Sequence, residues 1–234
     1  MNVLAIDTSN QELGIAILGN DRIIGEYITN LKKNHSVRVM PAIDQLMKDC
    51  EMQPTDLDKI VVAKGPGSYT GVRIGVTIAK SLAWSLHIPL VGVSSLAILA
   101  AGAGRYFNGY VSPLFDARRN NVYTGLYRYR DGQLVTMKED RNILITEWLA
   151  ELKQYDGKIL FIGNDTQHFE ESIKETLGDE ALIAAISEHN PRPSELGLLG
   201  NSFSHNELHS FVPNYIRLVE AEANWLKKQK QGKV

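Results

Sequence analysis

Apolar residues run along this chain in two rhythms: short unbroken stretches, and longer ones in which they return at every third or fourth position. A short unbroken run reads as a buried strand, and the three-to-four period marks one face of a helix. Val3, Leu4, Ala5 and Ile6 form the first run, which stops at Asp7-Thr8-Ser9-Asn10, residue types favoured in turns. Residues 13–18 and 23–29 are extended stretches flanking Gly19-Asn20-Asp21, so three antiparallel-type strands open the chain. After the polar break Lys32-Lys33-Asn34, Ser36 caps a predicted helix over 36–50, with Val37, Met40, Ile43, Met47 and Cys50 on one face and a kink expected at Pro41. Residues 59–63 read as a strand, 65–71 as a glycine-rich loop and 72–86 as a helix that ends before Pro89. A strand over 90–93 follows, and Ser94 or Ser95 caps an alanine-rich helix running to Gly102 and Gly104.

The second half begins again in the same way. Val111 to Asp116 is an apolar run ending in an aspartate, then comes a polar turn at Ala117-Arg118-Arg119-Asn120-Asn121, a strand over 122–129, and a hairpin turn at Asp131-Gly132. Asp116 takes the place of Asp7, so one unit is used twice. A short helix opening at Thr146, a strand over 159–162 and helices over 167–177 and 194–203 complete two α/β lobes, 1–104 and 105–234. Residues 227–233 are polar and basic, the composition of a frayed end.

Composition narrows the class. A length of 234 residues fits one large domain or two small ones, since a single core seldom serves more than about 250. With 44% apolar and 22% charged residues the chain has a sizeable core, which excludes global disorder. The net charge of -2 excludes a broad electropositive surface and leaves room only for a local basic patch. The single cysteine, Cys50, can form neither an internal disulfide nor a thiolate zinc cage, which fits a reducing compartment. The opening residues have no basic leader and a broken apolar run, so a cytoplasmic protein with neither signal peptide nor membrane span is expected. The sequon Asn164-Asp165-Thr166 is then incidental.

The chemistry concentrates at Gly65-Pro66-Gly67-Ser68-Tyr69-Thr70-Gly71-Val72-Arg73-Ile74-Gly75. It lacks the spacing and the Lys-Ser or Lys-Thr of a phosphate-binding Walker loop, and it lacks the G-x-G-x-x-G of a dinucleotide fingerprint. Two readings stay open: the glycines allow a tight turn with close helix packing, or the loop and helix N-terminus meet an anion or nucleotide. In the second reading Gly65, Gly67, Ser68 and Thr70 make contacts together with Asp7 and Thr8, and Asp116 approaches from the other lobe. Along the helix, Gly71, Gly75, Ala79 and Ala83 form a stripe with almost no side-chain bulk, beside a ridge of Ile74, Ile78 and Leu82. One face fits the core, and the other could receive a partner helix. His205 and His209 are four apart, a spacing that chelates zinc on a helix, but Pro213 makes a surface turn equally natural there. Ser68, Ser94 and Ser95 lack a G-x-S-x-G elbow.

On these residues the chain resembles the TsaB family, also called YeaZ. The resemblance rests on Leu4-Ala5-Ile6-Asp7-Thr8, the Gly65 to Gly75 run, Pro89-Leu90-Val91-Gly92-Val93-Ser94-Ser95-Leu96, Phe115-Asp116-Ala117-Arg118 and Tyr215-Ile216-Arg217, which span most of the chain. It implies a two-lobed actin-like, sugar-kinase-like α/β fold with duplicated ribonuclease-H-like subdomains. It also implies an accessory role in forming N6-threonylcarbamoyladenosine beside the anticodon of tRNAs that read codons beginning with A. In that family a paralogue, TsaD, holds the metal and catalyses, and an ATPase, TsaE, joins the assembly. The expected contacts with a TsaD-like partner, or with a second copy of this chain, are Val37, Met40, Ile43 and Met47 on one helix. On the next helix they are Gly71, Ile74, Gly75, Ile78, Ala79, Leu82 and Ala83, so Ala79→Glu is expected to block docking on a folded monomer.

The paralogue's metal-binding histidines correspond to Ser95 and Leu99, which cannot replace them. The resemblance therefore implies no catalytic residue, metal or cofactor of the chain's own, with ATP or ADP and a metal entering through partners, tRNA touched indirectly and no membrane. Three rivals remain. An ATP-dependent phosphotransferase would use Asp7 and Asp116 to hold hydrated magnesium, against the simpler reading that each caps its own turn. Direct tRNA binding would use Lys32, Lys33, Arg38, Arg118, Arg119 and the tail lysines. A metalloprotease fails for want of ligands.

Overall fold

The computed structural model describes residues 1–20 and 22–216. Asp21 of the first hairpin turn, Arg217 and the basic tail at 227–233 lie outside the described residues. Strands β1 (Val3–Asp7), β2 (Glu12–Gly19), β3 (Arg22–Asn30), β4 (Lys59–Ala63) and β5 (Leu90–Val93) form one sheet in the order β3-β2-β1-β4-β5. Strands β6 (Tyr110–Asp116), β7 (Asn121–Arg130), β8 (Gln133–Leu144), β9 (Ile159–Ile162) and β10 (Ala181–Ile183) form a second in the order β10-β9-β6-β7-β8. Read from the far edge, the second order repeats the first. The directions agree as well: β1 is antiparallel to β2 and parallel to β4, and β6 is antiparallel to β7 and parallel to β9. Asp7 and Asp116 end the corresponding central strands, as the repeat predicts.

Five layers result. Helices α1 (Val39–Asp49) and α2 (Tyr69–Leu86) cover the outer face of the first sheet, where Ile43, Met47, Val72, Val76 and Ala79 join Ile6, Ile15 and Val62 in one core. Helices α4 (Ile145–Leu152) and α5 (Glu170–Leu177) cover the outer face of the second, around the fully buried Trp148 and Phe161. Between the sheets lie α3 (Ser95–Gly104) and α6 (Pro193–Asn201). Ile98 of α3 and Leu196 of α6 pack with Val3, Ala5, Val61 and Val91 of the first sheet, whereas Leu96, Leu99 and Ala100 pack with Val111, Phe115 and Leu160 of the second. A helix buried on all sides must be apolar all round, and α3, rich in alanine and leucine, is.

The division near residue 105 thus separates the sheets but not the packing. Helix α6 follows the second lobe in sequence and covers the first sheet, and described residues after it also contact that sheet. The Asn206 amide donates to the Leu90 carbonyl at 2.8 Å and the Asn214 amide to the Lys64 carbonyl at 2.7 Å. Phe211 fills the space left by Gly92, where a Cβ would lie 2.4 Å from its ring.

Several boundaries differ from the sequence reading. The first helix is split into a 3-10 turn, His35–Val37, capped by the Asn34 side chain rather than by Ser36, and α1, which starts at Val39. Pro41 falls in the first turn of α1, where a missing N–H costs nothing. Helix α2 starts three residues earlier than its apolar period because Ser68 caps it, accepting from the Gly71 amide at 3.3 Å. The stretch 167–177 is a 3-10 turn, Asn164–Phe169, followed by α5. Strand β8 follows the hairpin turn read at Asp131-Gly132 but has no range in the sequence reading, and β10 has no counterpart there: both are sheet edges, and their half-exposed positions blur the alternation that marks a strand.

Candidate functional site

The turn after β1 is braced by its own aspartate and joined to the glycine-rich segment by Thr8 and Ser9. The Asp7 carboxylate accepts from the Ser9 amide through Oδ1 at 2.8 Å, the Thr8 hydroxyl donates to the Gly71 carbonyl at 2.7 Å, and the Ser68 amide donates to the Ser9 carbonyl at 2.7 Å. A Cβ on Gly67 would lie 2.2 Å from the Ser9 carbonyl oxygen, one on Gly71 2.2 Å from that of Thr8, and one on Gly75 2.4 Å from the Thr8 hydroxyl. Gly65 has φ +97°, and its Cβ would press on the Asn214 carbonyl. All four glycines allow close packing, and Gly67 and Ser68 also line the cleft between the lobes.

That packing overturns one expectation. Gly71, Gly75, Ala79 and Ala83 are all buried against the chain's own first sheet, so the small-residue stripe offers nothing to a partner. Ala79→Glu would place a charge in the core and is no probe of docking. Ile43 and Met47 are likewise core, and Ile74, Ile78 and Leu82 are partly buried along its margin. What remains outside is two of the expected contacts, Val37 at 69% exposed and Met40 at 44%, together with Tyr69 at 45% and Trp84 at 65%, which are not among them. A groove of about 470 Å³ runs along this face, lined by Ser36, Tyr69, Thr70, Arg73, Ile74, Thr77 and Ile78. Tyr69 stacks on Tyr215 with ring centroids 4.9 Å apart. Tyr69, Arg73 and Trp84 escape a search for apolar periodicity because they belong to the third face of α2, yet a helix without one acidic residue and with a tryptophan opposite its buried stripe carries that signal.

Between the lobes a polar cleft of about 460 Å³ is lined by Asn10, Gln11, Gly67 and Ser68 on one side and by residues including Phe115, Asp116, Arg118, Tyr123, Asp165 and His168 on the other. Asp116 reaches it, whereas Asp7 and Thr8 lie beneath the turn. Each aspartate caps its own turn through Oδ1, Asp7 from the Ser9 amide and Asp116 from the Arg118 amide at 2.7 Å. Their second oxygens differ. Asp116 pairs with the Arg118 guanidinium at 3.4 Å and lends its own amide to Asp165 at 2.8 Å. Asp7 Oδ2 is buried with no hydrogen-bond partner, as are Ser9 Oγ, Asn10 Nδ2 and His35 Nδ1 around it. Burial raises the Asp7 pKa, opposed by the Ser9 hydrogen bonds and by His35, whose Nε2 lies 2.7 Å from the Asn10 carbonyl.

The remaining candidates serve structural ends. Ser95 accepts the Gly65 amide at 3.2 Å, and Leu99 is fully buried between the sheets. His205 and His209 are exposed, on a loop and a turn instead of a helix, and no group of three His, Cys, Asp or Glu that could hold a metal occurs among the described residues. Of the cations weighed for tRNA, Lys32 and Lys33 are exposed, Arg38 donates to the Thr29 hydroxyl and Arg118 is paired with Asp116. No helix among the described residues is long and apolar enough to cross a membrane.

Set against known proteins, residues 22–225 match the family described as TsaD, tRNA N6-adenosine threonylcarbamoyltransferase. The chain is 57% identical to the Bacillus subtilis tRNA threonylcarbamoyladenosine biosynthesis protein TsaB, over 98% of this chain and 100% of that one. A Pseudomonas aeruginosa crystal structure, described as similar to the peptidase YeaZ, superposes with a TM-score of 0.80 at 25% identity, covering 92% of this chain and 99% of the other. A Thermus thermophilus ROK hexokinase superposes with a TM-score of 0.50 at 9% identity over 86% and 99%, a likeness of fold alone. The two-lobed frame is the actin-like, sugar-kinase-like one that the resemblance implies.

Proposed function

This chain belongs to the TsaB family of tRNA threonylcarbamoyladenosine biosynthesis proteins, and we propose that within it the protein is a non-catalytic subunit that docks and activates a TsaD-like catalytic paralogue. The observation that carries this reading is the exposed face of α1 and α2. Val37, Met40, Tyr69 and Trp84 stand in solvent, and Tyr69 also lines an open groove with Ile74 and Ile78, an apolar exposure that a monomer rarely leaves uncovered. Docking uses the outer residues and the rim of Ile74 and Ile78, not the glycine and alanine stripe.

Self-association through the same face is the homodimer counterpart. The chain supplies no metal or cofactor; a TsaE-like ATPase, ATP or ADP and a metal enter with the partners, and tRNA is reached through the assembled complex in the cytoplasm. The rival, an ATP-dependent phosphotransferase, has less support, because both aspartates commit an oxygen to their own turns and Asp7 is withdrawn from the cleft.

The test is a double variant, Val37→Glu with Met40→Glu, at two exposed positions where charge leaves the monomer intact. It should melt like the parent, fail to co-purify with a TsaD-like protein and support no threonylcarbamoyladenosine formation in reconstitution. A full-strength complex from this variant would refute the docking assignment.

A further inference from the structure

We infer that the two lobes are pinned in one fixed relation, so that the cleft between them does not open and close. This goes beyond the docking assignment and is independent of it. Enzymes that close around a ligand need a hinge, a few residues crossing between otherwise separable bodies. Here the crossing is a shared interior. Helix α3 is buried against both sheets, and α6 lies beside it on the first. Their glycines leave no slack: a Cβ on Gly197 would lie 2.3 Å from Leu18, one on Gly200 2.4 Å from Val61 and one on Gly104 2.9 Å from Val111. A packed interior has discrete arrangements and does not slide continuously.

A polar pin stands on either flank of that spine. On the first, Glu12 of β2 is almost fully buried and accepts from the Asn164 side chain of the second lobe. Asn164 donates also to the Asn190 side chain at 2.8 Å, Asn190 accepts from Asn30 of β3 at 3.2 Å, and Asn30 accepts from Gln11 at 2.7 Å. On the second, Ser94, at the end of β5, donates to Asp140 of β8, whose other oxygen accepts from the buried Tyr127 hydroxyl of β7. Ser94 caps α3 at the same time, accepting from the Ala97 amide at 3.2 Å, so the spine and the second pin share an atom. Opening the cleft would take the Asn164 partner from the buried Glu12 carboxylate and the Ser94 partner from Asp140, a loss that buried polar groups resist.

The experiment is a distance measurement between spin labels on the whole chain, at cysteines introduced by Ser85→Cys on α2 and Glu175→Cys on α5, both exposed, with Cys50→Ser removing the native thiol. The expected result is one narrow distance distribution, unchanged by millimolar magnesium-ATP or ADP. Adding Asn164→Ala and Asp140→Asn should broaden it and shift its mean. Should the five-site change prevent folding, Asn164→Ala as the one pin removed from the labelled chain, at an exposed side chain, should still broaden the distribution. Two populations in the unaltered chain, or a nucleotide-dependent shift, would overturn the inference. So would a distribution that stays narrow once the pins are removed.

Discussion

The two lobes share one strand order and one aspartate at the end of the central strand, yet the surroundings of that aspartate are opposite. In the first lobe Asp7 is 4% exposed, and the turn it caps is pressed against Gly67, Gly71 and Gly75. In the second, the turn capped by Asp116 is open to the cleft, carries Arg118, Arg119 and Asn120 in left-handed backbone conformation, and has an ion pair at its surface. One topology has been put to two uses. The first lobe fastens its strand end to a helix whose far side is exposed; the second leaves the same position to solvent.

The comparison can be tested by perturbing each turn in turn. The largest effect belongs to Gly71→Val: its Cβ meets backbone that cannot swing aside, so thermal or urea unfolding should report a loss of about 3 kcal/mol or more. An unaffected midpoint would mean that the first turn is as loose as the second. Next comes Asp7→Asn, expected to stabilise by roughly 1 kcal/mol at neutral pH, because it removes a charge held in a buried site without a partner for one oxygen. Burial raises the folded-state pKa above the ordinary carboxylate value, so the folded chain binds more protons than the unfolded one in the window between the two. The wild type is therefore relatively most stable below that window and loses ground as pH rises through it. The advantage of Asn should shrink on acidification, and urea titrations at pH 4 and pH 7.5 read the difference.

Thr8→Val keeps the shape of the side chain and deletes the bond to Gly71, for a cost of about 1 kcal/mol at the start of α2. Amide exchange at Thr70 and Gly71 should rise with it. Arg118→Ala, in the second lobe, removes an exposed pair and should change stability by less than about 0.5 kcal/mol. A larger loss would show that the open turn is braced after all.

The same contrast explains what could be read from the chain alone. The central strands, both aspartates and the α2 cap follow from runs of apolar residues and from turn chemistry, which are local. The glycine stripe was legible as a surface of close approach, but its direction was not, since the sequence of α2 cannot say whether Thr8 or a second protein fills it. Trp84 shows the converse, a large side chain left 65% exposed beside Leu208 and His209, neighbours that the sequence of α2 does not announce. The exchange of α3 and α6 between sheets was hidden for a similar reason: periodicity tells which residues are apolar, and α3 is apolar on every side.

That exchange bears on how the polypeptide comes off the ribosome. The inner face of the first sheet is covered in part by α3 and fully only when α6 emerges, so the first lobe waits, half dressed, for a helix synthesised nearly a hundred residues after β5. Long-range closure of this kind slows folding and exposes sticky intermediates. A chain cut short between β10 and α6 should accordingly be made but collect in inclusion bodies, even though both sheets are present in full.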